Sequence, residues 1–232
     1  MNFAAPVLSG PSRRGLSKAA AAYEYLRSGI VELRLPPGSR IDKATICRLL
    51  GVSRQPVAEA VARLAEERLV DIEPQRGTFV ARIRFADVAE ANFVRRSLEV
   101  ATVQAIAPRM NDAILDRLND ILEAQAVAAR ADDSEGFYRL DVRFHLALFE
   151  VLAMRRVAEV VETSRAQLER IRRLLLPKPG RLLRTVDEHC AVYRALQARD
   201  ARAAGDAMQA HLGVVMAELR DLSTRRPEFF AD

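Results

Sequence analysis

Only three histidines occur in the 232-residue chain: His145, His189 and His211. Asp141 and His145 stand four apart in a segment of helical periodicity, so they share one helix face. His189 and His211 each fall inside a later helical segment. One carboxylate and three imidazoles from three helices can converge on a single cation inside a bundle. That donor set suits a divalent metal ion, zinc first, with nickel or manganese as alternates. The bland reading is that mid-helix histidines are ordinary core or surface side chains, and that an Asp–His pair at this spacing arises by chance. What favours the cluster is that no histidine lies outside it.

A different chemistry is written at Ser53-Arg54-Gln55-Pro56, which opens a helical segment just after Gly51-Val52. The N-terminal end of a recognition helix enters the major groove of DNA. There Arg54 can give a bidentate contact to guanine and Gln55 one to adenine. The Ser53 hydroxyl and the helix N-terminus suit a phosphate. Farther on, Arg76 and Gly77 occupy the tip of a β-hairpin pattern and suit the minor groove or the backbone, with glycine allowing close approach. Taken singly, these residues are also readable as solvated first-turn and turn-forming positions, the less favoured of the two readings.

The elements that must position them decide between the readings. Residues 1–17 carry Pro, Gly, Ser, Arg13 and Arg14 without periodicity and read as a flexible arm. A helix starts after the N-cap Ser17, buries Tyr23, Leu26, Ile30 and Leu33, and ends at Pro36-Pro37-Gly38. A short helix follows from Lys43 to Leu50, capped by Asp42 and stopped at Gly51. A third opens at the N-cap Ser53, with Pro56 in its first turn, where its missing N–H is tolerated. Strands at 69–73 and 78–81 flank the turn Pro74-Gln75-Arg76-Gly77. Helix, helix, tight turn, helix and hairpin in that order make a winged helix-turn-helix over 18–83. From Phe85 the pattern is helical throughout, near 86–108, 111–131, 134–153, 156–176, 180–199 and 201–223. The fold class is therefore mainly α, a winged helix-turn-helix plus an all-helical bundle over 84–232.

Charge agrees with that division. Residues 1–83 hold 13 Lys+Arg against 8 Asp+Glu, while 84–232 hold 23 of each, so the net +5 sits in the first third. Phosphate-backbone binding requires such a basic domain. Half the residues are hydrophobic, enough for a real core, yet charges interrupt every apolar run, so no membrane partner is expected. The first 18 residues lack the continuous apolar stretch of a secretory signal. Cys47 and Cys190 form no pair motif and read as small core hydrophobes in a reducing, cytoplasmic setting.

Certain segments resemble the GntR family of bacterial regulators. They are Leu35-Pro36-Pro37-Gly38, Leu50-Gly51-Val52-Ser53-Arg54-Gln55-Pro56-Val57, Arg63-Leu64 and Pro74-Gln75-Arg76-Gly77-Thr78-Phe79-Val80. The helical part resembles the FCD ("FadR C-terminal domain") subgroup, through Val94-Arg95-Arg96-Ser97-Leu98-Glu99, Asp141-x-x-Phe144-His145, Glu188-His189, Ala195 to Asp200 and Ala210-His211-Leu212. In many members the matching Asp, His, His, His set holds a metal, and all four positions are filled here. The resemblance further implies a homodimer on a palindromic double-stranded operator. It implies a small organic acid as effector, with Arg95 facing it. The alternative for Arg95 is a helix-surface ion pair with Glu99, and Glu188 reads as solvated. One departure stands out: Ala58 occupies the place of a recognition-helix arginine that often contacts a base in the family, and Ala62 replaces a commonly polar or basic residue.

The function expected is a DNA-binding transcriptional regulator, a repressor, tuned by a carboxylate effector near a divalent metal, with no catalytic residues. Two rivals remain. A metal-dependent hydrolase with a nucleic-acid-binding domain needs a general base, but no HExxH, nucleophile–base pattern or phosphate loop is present. A direct metal sensor would use the ion itself as the signal.

Overall fold

Capping groups and one glycine set where the first helices begin and end. In a computed structural model, which describes residues 17–175 and 180–231, Ser17 accepts the Ala20 N–H at 3.1 Å and starts α1 (Lys18–Val31). Asp42 accepts the N–H groups of Ala44 and Thr45 and starts α2 (Lys43–Leu50). Gly51, at φ +64°, takes the left-handed conformation that closes α2, and the chain turns at once into α3 (Arg54–Glu66). Ser53 holds the extended N-cap geometry but makes no capping bond, unlike the cap expected of it. Leu33 also departs from expectation. It lies beyond the end of α1 at φ +60°, because the backbone turns there to pair Leu35 N–H with Gly29 C=O. The buried stripe of α1 is Tyr23, Leu26 and Ile30, extended by Val31. The expected arm falls, apart from Ser17, outside the described residues, as does the break at Pro177-Lys178-Pro179.

Strands β1 (Val70–Glu73) and β2 (Gly77–Val80) pair antiparallel in the register Val70–Val80 and Glu73–Gly77. Three of the four bounds differ by one residue from the pattern-based strands, and the end at Glu73 agrees. Leu69 N–H is used to close α3 on Leu64 C=O, and Ala81 N–H returns to Leu69 C=O. Residues 38–41 run beside β2, through Gly38 N–H to Val80 C=O and Ile41 N–H to Thr78 C=O. Leu26, Val57, Val61, Leu64 and Val80 meet beneath the wing in an apolar core.

The rest is helical among the described residues. The elements are α4 (Phe85–Ile106), α5 (Asp112–Arg130), α6 (Ser134–Glu150), α7 (Arg155–Leu175), α8 (Arg181–Gln197) and α9 (Ala201–Arg225). Pro108 sits in a short 3-10 turn after α4. Val103, Leu118, Phe144, Val192 and Met208 show how α4, α5, α6, α8 and α9 share one apolar centre. No described helix is long and apolar enough to cross a membrane. Both cysteines are free and half-buried, and Cys190 packs against the bundle core.

Helix α7 breaks the amphipathic rule that a surface helix buries one stripe. Residues 165–172 are buried without interruption, although Arg165, Glu169, Arg170 and Arg172 are charged. The cause is its place between the two halves. Ala166 belongs to the apolar core of the winged domain, while Leu168 and Ile171 pack with Leu219 of α9.

Candidate nucleic-acid interface and metal centre

The start of α3 presents Ser53, Arg54 and Gln55 to solvent together. Gln55 Nε2 donates to Glu59 Oε1 at 3.0 Å, an acidic neighbour on the same helix that the motif did not flag. Ala58 and Ala62 are exposed on this helix, so the positions where the family carries larger polar groups face outward. At the wing, Gln75 adopts φ +61° and Arg76 projects with 77% of its side chain exposed, paired to Glu73 at 2.6 Å. Gly77 has φ +134°, and a Cβ there would lie 3.3 Å from Arg40 Nε. Arg40 and Lys43 line an open groove between the start of α2 and the wing. These two cations extend the basic face; isolated in a loop and at a helix start, they carry no spacing signal in the sequence.

The histidines meet inside the bundle. His145 and Asp141 come from α6, His189 from α8 and His211 from α9, and His145, His189 and Asp141 are fully buried. Nε2 of His211 lies 3.3 Å from Nε2 of His189 and 3.3 Å from Nε2 of His145. Asp141 Oδ1 lies 3.5 Å from His189 Nε2. Nitrogens bound 2.0–2.1 Å from a tetrahedral ion stand about 3.3 Å apart. Each ring's other nitrogen has an acceptor: Glu99 Oε2 at 2.6 Å for His145, Gln125 Oε1 at 2.8 Å for His189, and Glu188 Oε2 at 2.8 Å for His211. With Nδ1 donating outward, the three Nε2 atoms point bare lone pairs at one another. Outer acceptors of this kind fix ring orientation in metal sites.

Charge around the histidines is dense. Arg172 grips Asp141 through both guanidinium nitrogens, and Arg165 Nη2 donates to it at 3.3 Å. Burial, the largest single influence, would raise the Asp141 carboxyl, but Arg172 together with His145 and His189 overcomes it and holds it well below the usual range. Glu99 is likewise held low, burial being overcome by Arg95 and then His145. Burial pushes His145 down to about 4 and His189 well below its ordinary value, against the opposing pull of Glu99 and Asp141 respectively. Both rings are therefore neutral and available as ligands.

Arg95 is 2% exposed, and its Nε donates to Glu99 at 2.5 Å. The ion pair weighed as a surface feature exists, but in the interior, and Arg95 Nη2 is left without a partner. Glu188, read as solvated, instead bridges His211 and Arg181. The spacing argument missed Gln125, Arg165, Arg172 and Arg181. Gln125 carried a legible signal, a polar residue within the apolar face of α5 between Leu122 and Ala128. The arginines carried none: those of α7 look like a solvated charge run, and Arg181 is the first residue of α8.

Helix α7 also touches the DNA-reading half. Gln167 Nε2 donates to the carbonyls of Arg68 at 2.9 Å and Glu67 at 3.5 Å, at the end of α3. Arg170 donates to Ala81 C=O just past the wing, and Arg27 reaches Glu162 C=O of α7 at 3.3 Å.

The chain matches the family model "Bacterial regulatory proteins, gntR family" over residues 18–80 and the "FCD domain" model over 90–214. It is 30% identical over 213 residues to the HTH-type transcriptional repressor RspR of Escherichia coli K12, covering 90% of this chain and 92% of that one. It is 27% identical to the gluconate operon transcriptional repressor of Bacillus subtilis, over 80% of this chain and 79% of that one. Among solved structures, a putative GntR transcriptional regulator from Rhodococcus sp. RHA1 superposes with a TM-score of 0.75 at 27% identity, covering 89% of this chain and 99% of that one. A winged domain with an exposed reading helix, followed by a histidine-centred helical bundle, thus agrees with both family models, and this chain belongs to the GntR family of DNA-binding transcriptional regulators, with an FCD domain as its second half.

Proposed function

We propose that the chain is a repressor whose hold on its operator is set by a small carboxylate bound beside a divalent metal, zinc first, in the FCD domain. One observation carries the metal: buried Nε2 atoms of His145 and His189 each lie 3.3 Å from Nε2 of His211, a tetrahedral-edge spacing, and every Nδ1 faces an outer acceptor. With Nδ1 the donor in each ring, the Nε2 lone pairs converge where a cation would sit. His145, His189, His211 and Asp141 would hold it. Asp141 would then serve the ion and Arg172 together. The ion supplies a fixed positive charge that an effector carboxylate can ligate, and Arg95 offers its free nitrogen nearby.

Repression is supported by two relatives that bear that description, one of them for a gluconate operon. Reading by Arg54 and Gln55 from α3, with Ser53, Arg76 and Gly77 on the backbone, gives one half-site. A homodimer reads the two halves of a palindrome. Coupling runs through α7, whose Arg165 and Arg172 hold Asp141 while Gln167 and Arg170 hold the end of α3 and the base of the wing. A ligand that prefers one placement of α7 shifts the population of DNA-competent geometries.

The test has two readings. Elemental analysis of protein never exposed to chelator should find one divalent ion per chain, and none bound or taken up on titration would end the metal reading. Operator fragments selected from random duplexes should be released by organic acids. Release by metal alone would instead favour a direct metal sensor.

A further inference from the structure

A small cavity adjoins the histidines, lined by Asn92 and Arg95 of α4, Arg172 of α7, Arg181 of α8 and His211 of α9. Three guanidiniums line it and no carboxylate does. The carboxylates that neutralise them are Glu99 for Arg95, Asp141 for Arg172 and Glu188 for Arg181. Arg165 and Glu169 form a fourth balanced pair. Arg165 also meets the partly exposed Glu162 at 3.4 Å, but each carboxylate paired with a cavity-lining arginine is already matched by that cation.

This inference rests on the metal reading above. A divalent ion held by imidazoles and by an aspartate that Arg172 already neutralises brings two positive charges into a dry interior with nothing left to offset them. Buried charge without a counter-charge is strongly disfavoured. The buried Nη2 of Arg95 adds a donor that lacks an acceptor. We infer that the effector is a small dicarboxylate, with one carboxylate for the cation beside His211 and the other for the guanidinium forks of Arg95 and Arg181. A monocarboxylate would leave one of the two charges unmatched.

The cavity also says how such a ligand acts. Its volume is about 10 Å³, the room of about one water. A dicarboxylate enters only if the helices around the cavity move apart, and one of them, α7, also holds the carbonyls just past the recognition helix and the wing. An opening that displaces α7 would thereby couple binding to the DNA-reading half.

Titration calorimetry on full-length, zinc-loaded protein tests this with length-matched pairs: succinate against butyrate, malate against 3-hydroxybutyrate. The dicarboxylates should bind at least about tenfold more tightly, the worth of one charge-assisted contact. Arg181→Gln, with metal content checked on the same sample, should narrow that ratio by lowering dicarboxylate affinity, and Arg181→Lys should restore part of it. Equal or tighter binding of the monocarboxylates overturns the inference while leaving a carboxylate effector intact. Tighter binding of inorganic phosphate than of either dicarboxylate overturns it in favour of a phosphoryl ligand. Binding of no acid of either kind removes the carboxylate effector itself.

Discussion

The two halves of the chain treat polar groups in opposite ways. In the winged domain, Thr78 is the one polar side chain among the described buried residues, and the charges that would read DNA all face outward. In the helical half, arginines, carboxylates, histidines and glutamines are packed inside. A reading surface needs only a rigid apolar support that aims exposed side chains at a large, charged, wet partner. A sensing centre must enclose a small ligand, so its charges have to be buried and matched to one another. The winged domain therefore keeps its core apolar, and the bundle gives part of its core to matched buried charge, as the proposed sensing centre would require.

The largest effect that sharpens this contrast is metal removal. An ion that binds only the folded bundle adds about 4 kcal/mol at a thousandfold excess over its dissociation constant. Chelation, or His189→Ala, should lower the thermal midpoint of the helical half by roughly 10 °C. Protection of the α3 amides against hydrogen exchange should change little. Equal loss in both halves, followed residue by residue, would show that they do not differ in this way.

Acid comes next. His145 titrates near 4 in the folded chain against an ordinary 6.5. Between those values the unfolded chain takes up a proton and the folded one does not. Stability is thus intact above about pH 6.5 and falls as pH drops towards 4, by on the order of 3 kcal/mol for this ring alone. Glu99 and Asp141, held low by their arginines, add losses of the same sign at still lower pH. Unfolding of chelated protein followed against pH should show the bundle failing first. A flat profile from pH 7 to 4 would mean that the imidazole is not buried as described.

On the winged side, Arg54→Ala should cost operator affinity about 1–3 kcal/mol, roughly tenfold to a hundredfold, and relax preference at one base per half-site. Fold stability should stay unchanged, since the side chain is exposed. An unaltered footprint and affinity would place the reading elsewhere on α3.

The smallest expected effect breaks the comparison by cutting the link between the halves. Gln167→Ala removes hydrogen bonds to Arg68 and Glu67 at a cost of about 1 kcal/mol. Metal content and effector-free DNA binding should be near normal, while release of DNA by effector weakens. Full retention of the response would move the coupling to another contact.

Much of this was legible in order of residues alone. The caps at Ser17 and Asp42, the left-handed Gly51, the alternation on either side of Pro74 to Arg76 and the change to helical period after Phe85 are local features, and local backbone preference acts within a few residues. The histidine set was legible for a similar reason: Asp141 and His145 share a face by helical spacing, and no other histidine competed. What the sequence could not decide was which side of a charged helix looks inward. The arginines of α7 have the spacing of solvated residues, and the packing of α7 between the two halves buries them, while Glu188 of α8 is half-covered by His211 and Arg181. Likewise Arg95 and Glu99 are an i, i+4 pair in either setting, and the approach of α6 and α9 turns that pair from a surface ornament into the support of His145. Burial of charge is a property of what lies across from a helix, which the chain specifies only once all its helices are assembled.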